Sequence, residues 1–123
     1  MNQRVIKLGN GYADFFELME LAVTNQSRLI ACFQLQTLDG RHSLGIVLKP
    51  AKHPSTFMPI YLCLEGFKPD SKRVHQFQDF ANQEGHTLHT IAVKSLDLFY
   101  DEDQYTRYLI GLLRSQRVIP PMA

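Results

Sequence analysis

An apolar run near the middle of the chain, FMPIYLCLE at residues 57–65, constrains the fold more than any other feature. The run shows too little polar alternation for a strand with one face in water, so it predicts a strand that is buried on both faces. Such a strand needs helices on each side of its sheet. We therefore expect an α/β (α+β) chain built as a three-layer sandwich.

Three more segments have the pattern of strands. RLIACFQLQT (28–37) and HSLGIVLKP (42–50) flank Asp39 and Gly40, a pair that readily adopts the positive φ of a tight hairpin. HTLHTIAVKS (86–95) has the length and composition of a short fourth strand. The sequence thus predicts a mixed four-stranded sheet.

Helical spacing of apolar residues predicts three helices. The first starts with Asp14 and Glu17, which have the form of a capping box. The predicted helices span residues 14–25, from Asp70 or Ser71 to Gly85, and 101–117. The element order is then α-β-β-β-α-β-α with helices on both faces, and the second helix should return the fourth strand parallel to a neighbour.

Length and composition limit the classes of protein that the chain can belong to. Its 123 residues predict one domain, 1–123, and 45% hydrophobic with 20% charged residues is ordinary for a globular protein. A net charge of +1 gives no strong field, so nucleic acid stays open only as the less favoured partner. Neither a membrane-spanning run nor the apolar core of a signal peptide is visible, so we expect a cytoplasmic protein.

The stretch IYLCLEGFKPDSKR (60–73) contains the candidate catalytic residues. The element order resembles the PD-(D/E)XK nuclease-like core, in which acids on the second and third strands and a lysine on the third bind a divalent metal. Glu65 and Lys68 are three residues apart, which puts them on opposite faces of a regular strand, and the second strand has no acid. The resemblance implies a diverged phosphodiesterase with an incomplete motif, using Glu65, Lys68 and Glu17 or Glu20.

The second half of the same stretch suggests an anion site. Lys68, Ser71, Lys72 and Arg73 surround the start of the predicted second helix, where free amides and the helix dipole favour an anion. Clustered charges of this kind are more often an ordinary solvated helix face. We favour the solvated face and keep the anion site as the alternative.

Neither the histidines nor the cysteines have the spacing of a metal site. The five histidines are His42, His53, His75, His86 and His89. Cys32 and Cys63 each lie inside an apolar run, which predicts buried free thiols, although adjacent strands would also bring them together. We predict no metal and no cofactor.

Three segments resemble a family of small uncharacterised proteins from Bacillus-type Gram-positive bacteria. They are QRVIKLGNGYADFFELMELA, MPIYLCLEGF and YLIGLLRSQRVIPPM. The resemblance implies a bacterial cytosolic protein and carries over no catalytic residue. Some members of that family are labelled methylthioribose kinase, but the chain lacks the GxxxxGK[ST] phosphate-binding loop, so kinase activity is not supported.

The sequence favours a non-catalytic binding or assembly module over the phosphodiesterase. Its expected partner is a second copy of the chain, as a homodimer, or another protein. Tyr12, Phe99, Tyr100 and Tyr105 lie near predicted helix ends and are candidates for an interface, where aromatic residues are enriched. The apolar segment VIPPM at 118–122 is expected to dock either on a partner or on its own domain.

Overall fold

The computed structural model of the chain describes residues 2–8, 13–50, 57–68 and 70–120. Within these ranges, five strands form one mixed sheet that packs with three helices. No helix of this described part is long and apolar enough to cross a bilayer. The elements are β1 (Asn2–Lys7), α1 (Ala13–Thr24), β2 (Leu29–Gln36), β3 (His42–Leu48), β4 (Phe57–Phe67), α2 (Lys72–Gln83), β5 (Leu88–Ala92) and α3 (Glu102–Ser115).

The strands are arranged in the order β1-β4-β3-β2-β5. β3 runs antiparallel to both of its neighbours, whereas β1 is parallel to β4 and β5 is parallel to β2. The prediction of an α+β chain with a mixed sheet is confirmed. The prediction of four strands is wrong because β1, with only Val5 and Ile6 as apolar residues, has no alternation to reveal it.

The sheet is buried on both faces by two separate cores. α1 and α2 pack on one core through residues such as Phe15 and Phe77, and α3 packs on the other through Leu109. β4 contributes Cys63 to the first core and Ile60 to the second, as its apolar run predicts. In detail the layers are unequal, with two helices on one face and one on the other.

The hairpin between β2 and β3 turns on one left-handed residue. Gly40 has a φ of +83°, and its N–H donates to the carbonyl of Thr37 at 3.0 Å. Asp39 was expected to share this positive φ but does not. A single left-handed glycine after a turn is the usual way to close a hairpin loop of this length.

Helix ends follow local capping rules. Ser71 caps α2, and Gly85 ends it with a φ of +75° as predicted. α3 ends before the prolines, because Arg117 adopts a φ of +60° and the Val118 N–H donates to the carbonyl of Leu113 at 2.9 Å. Val118 is buried in the second core, so this part of the C-terminal segment packs on its own chain.

Candidate functional site

The predicted anion site lies at the start of α2, where its hydroxyl group is already engaged. Ser71 Oγ accepts a hydrogen bond from the Val74 N–H at 3.1 Å, which makes it the helix cap. Lys68 and Lys72 are exposed on either side of this cap. Two of the four predicted ligands are therefore exposed cations beside a helix N-terminus, and the hydroxyl has a structural role.

Arg73, the fourth predicted ligand, lies against the aromatic rings of α1. Its Cζ is 5.8 Å from the ring centre of Phe15 and 5.5 Å from that of Phe16. The two rings meet edge to face, with 5.7 Å between their centres. Guanidinium groups over ring faces are held by cation–π attraction, so Arg73 connects α2 to α1.

β4 is the strand that corresponds to the third strand of the nuclease-like core, and it is irregular around the candidate residue Glu65. β4 runs four residues, from Cys63 to Phe67, where the paired strand β3 runs two, from Leu44 to His42. This register shift leaves two extra residues on β4, an irregularity of the β-bulge kind that re-aims side chains. The expectation that Glu65 and Lys68 face opposite ways assumed a regular strand; the side chain of Glu65 lies outside the described residues.

The other two candidate acids lie on α1. Glu17 and Glu20 are exposed, whereas Phe15 and Leu18 of the same helix are buried against the sheet. Both carboxylates therefore point away from β4. Among the described residues, no three His, Cys, Asp or Glu side chains come together as a metal site.

A buried network of polar side chains beneath α2 was missed by the sequence reasoning. Gln78 Nε2 donates to Gln34 Oε1 at 3.3 Å, and Gln34 Nε2 contacts His42 Nδ1. Gln34 and His42 are 4% and 6% exposed, so this network lies inside the protein. Gln34 has the same parity as Cys32 on β2, and this alternation was the signal that a polar residue faces the core.

The direction of the hydrogen bonds in this network shows which ring nitrogen of His42 carries the proton. Because Gln34 Oε1 accepts from Gln78, its amide nitrogen is left to donate to Nδ1, and the imidazole proton is then on Nε2. Nε2 of His42 is buried and has no hydrogen-bond partner among the described residues. The network thus ends in one buried donor, His42 Nε2. This donor is next to the bulge of β4, since His42 pairs with Phe67.

The two cysteines face the same core but are not neighbours. Cys32 on β2 pairs with Ile46 of β3, and Cys63 on β4 pairs with Leu44 of β3, so β3 lies between them. The alternative that adjacent strands bring them together is wrong, and neither cysteine forms a disulfide. Burial, with a smaller contribution from Glu84, raises the pKa of Cys32 to about 12, which removes the thiolate that nucleophilic chemistry needs.

The predicted aromatic interface is mostly internal. Tyr105 is buried, and Phe99 packs against it and Tyr108 with ring centres 5.1 and 4.8 Å apart. Tyr12 lies outside the described residues, and Tyr100 is 92% exposed. Of the described aromatic candidates, Tyr100 is exposed, Phe99 is half-buried and Tyr105 is buried.

Exposed aliphatic and aromatic side chains are also found on α1, besides Leu38 in the hairpin turn and Leu98 before α3. Phe16 is 62% exposed and Val23 is 52% exposed. Sequence reasoning placed α1 correctly but did not separate its buried stripe from these residues on the solvent side. The signal was present, because α1 has apolar residues outside the stripe of Phe15, Leu18 and Ala22.

Comparison with known proteins places the chain in a family without assigning an activity. The chain belongs to the DUF7147 family, a domain of unknown function whose model matches residues 1–119. This agrees with the resemblance to an uncharacterised family of small proteins. No curated protein and no solved structure matches the chain.

Proposed function

We propose that this member of the DUF7147 family is a non-catalytic binding or assembly module of the bacterial cytoplasm. The observation that carries the proposal is the pair of exposed apolar side chains on α1, Phe16 and Val23. Large apolar side chains exposed on the same helix favour contact with another macromolecule. Phe16 is in addition held in place by Arg73, as a binding residue should be.

Co-purification with matched variants tests this proposal. The full chain carries an affinity tag and is expressed beside an untagged copy, as wild type, Phe16→Asp and Tyr100→Ser. We expect the wild type and Tyr100→Ser to retain at least one protein, the untagged copy or another, that Phe16→Asp loses. An identical set of retained proteins for all three variants would refute the module. Tyr100→Ser is the control, because Tyr100 is more exposed than Phe16 but lies away from α1.

The alternative is a diverged metal-dependent phosphodiesterase that uses Glu65 and Lys68 with Glu17 or Glu20. The bulge between Cys63 and Phe67 favours it, because β-bulges are common next to active sites. The outward position of Glu17 and Glu20 argues against it. Nucleic acid would be the substrate of this alternative and is the less favoured partner.

Thermal unfolding with Mg²⁺ or Mn²⁺, with and without short DNA, tests the alternative. A ligand present at 100 times its Kd stabilises the folded state by about 2.7 kcal/mol. The phosphodiesterase predicts a metal-dependent rise in Tm that Glu65→Ala abolishes and that Asp103→Ala, a control on α3 at the other face of the sheet, retains. A Tm that does not respond to metal and DNA would eliminate it.

A further inference from the structure

α1 differs from the other two helices in what it presents to solvent. Its exposed side chains include Phe16 and Val23, seven residues apart and so about two helical turns. Every exposed residue of α2 is polar, and every exposed residue of α3 is polar or glycine. Among the three helices, exposed large apolar side chains are therefore found on α1.

The aromatic residue on this surface is already ordered. Phe16 lies edge to face against Phe15, which is fully buried, and carries the Arg73 guanidinium 5.5 Å from its ring centre. Ordering a side chain before contact lowers the entropy that binding costs. Aromatic and arginine side chains are also those that most often dominate the energy of an interface.

The charges around this surface are divided between its two sides. Because Arg73 touches both Phe15 and Phe16, α2 lies on the side of α1 between these rings. Successive residues of a helix are rotated by about 100°, so Glu17 lies on the opposite side of α1 and Glu20 near its outermost line. One side of the surface is acidic, and the other, with Arg73 and the exposed Lys72, is basic.

This division of charge identifies the partner. An interface between two identical copies must be complementary to itself, with each residue set meeting the other set across a two-fold axis. An axis parallel to α1 exchanges the two sides, so it brings the Glu17 side of one copy to the side of the second copy that carries Arg73 and Lys72. A net charge of +1 leaves no long-range repulsion between copies.

We propose that Phe16, Glu17, Glu20 and Val23 of α1, with Lys72 and Arg73 of α2, form a two-fold homodimer interface. This inference rests on the proposed function, because it names the partner of the binding module. A 12-residue helix is about 18 Å long, so the contact is small by the standard of about 800 Å² buried on each partner. We therefore expect a weak, concentration-dependent dimer.

Sedimentation velocity on the full chain across a micromolar concentration series is the first test. The wild type should shift from monomer to dimer as its concentration rises. Phe16→Asp and Val23→Asp should stay monomeric, while Tyr100→Ser should dimerise like the wild type. All three positions are exposed, and equal urea midpoints for the variants will exclude a folding defect.

Charge exchange tests the two-fold geometry itself. Glu17→Lys and Lys72→Glu should each weaken the dimer at least severalfold, because each places like charges against each other. The double variant Glu17→Lys/Lys72→Glu should restore the dimer, since the pair is re-formed with its signs reversed. Failure of the double variant to recover would overturn this geometry, because the geometry requires these two residues to pair across the axis.

The outcomes separate this inference from the proposed function. A wild type that stays monomeric, while Phe16→Asp still loses a different protein on co-purification, overturns the second copy as partner and leaves the module standing. If the wild type stays monomeric and Phe16→Asp retains every co-purified protein, both the homodimer and the binding module are overturned. A dimer that Phe16→Asp and Val23→Asp do not affect also overturns the interface, because those copies associate through another surface.

Discussion

Gly45 is held to glycine by an aromatic ring on the neighbouring strand. It lies within β3 and pairs directly with Phe33 of β2. The Phe33 ring is 1% exposed, and a Cβ added to residue 45 would come 2.6 Å from its Cε2 atom. Gly45→Ala must therefore displace a ring that is itself packed in the second core.

Two opposing effects set the size of the destabilisation. Overpacking a close-packed core costs about 1–3 kcal/mol. Alanine recovers roughly 0.5–1 kcal/mol relative to glycine, because it loses less backbone freedom on folding. We expect a net loss of about 1–2 kcal/mol in the free energy of unfolding, or roughly 4 °C of Tm for each kcal/mol in a chain of this size.

Gly111 provides the matched control for this substitution. It lies in α3, and a Cβ added there meets no atom within 4 Å. Gly111→Ala should therefore stabilise the protein by about 1 kcal/mol, the difference in helix propensity. The same chemical change is thus expected to have opposite signs at two positions.

Urea denaturation of both single variants tests the reasoning, and a double variant tests the cause. In a Phe33→Leu background the ring is absent, so Gly45→Ala should cost less than it does in the wild type. If Gly45→Ala is as stable as the wild type, the ring can move and the argument fails. An equal cost in both backgrounds would show that Phe33 is not responsible.

Two further predictions concern strain and ionisation. A side chain at the φ of +60° of Arg117 costs roughly 1–2 kcal/mol, so Arg117→Gly should raise the free energy of unfolding in urea by about 1 kcal/mol, while Arg117→Ala should not; equal effects of the two substitutions would contradict this. Burial raises the pKa of Cys32 from 9.0 to about 12, so in this pH range the folded state holds a proton that the unfolded state releases. Stability should be complete below pH 9 and should fall as the pH rises towards 12, and Cys32→Ala should remove part of that fall; an unchanged pH dependence in this variant would refute the assignment.

Elements with local signals were predictable from the sequence. α2 was placed well because its cap Ser71 and its terminal Gly85 act within a few residues of the backbone that they satisfy. The hairpin between β2 and β3 was found from Asp39 and Gly40 for the same reason. β1 was missed because it is a parallel edge strand, stabilised by pairing with β4 far along the chain.

The environments of the candidate site residues were less predictable than their positions. The sequence placed Ser71 and Arg73 at the start of a helix, but the contact of Arg73 with Phe16 depends on how two helices lie on the sheet. Tyr105 was expected at an interface and is buried, since aromatic residues are as common in cores as at contacts. Pairwise tertiary contacts decide these cases, and helical periodicity does not encode them.

The two proposed functions make different demands on the same residue, Glu17. In the homodimer its carboxylate pairs with Lys72 of the second copy. The two positions then need only opposite charges, so Glu17→Lys is rescued by Lys72→Glu. In the phosphodiesterase the carboxylate acts as a metal ligand beside Glu65, and a lysine cannot replace it whatever residue stands at position 72. Recovery of the dimer in the double variant would therefore assign Glu17 to the interface, whereas a metal-dependent rise in Tm that the wild type shows and the double variant lacks would assign it to a metal site.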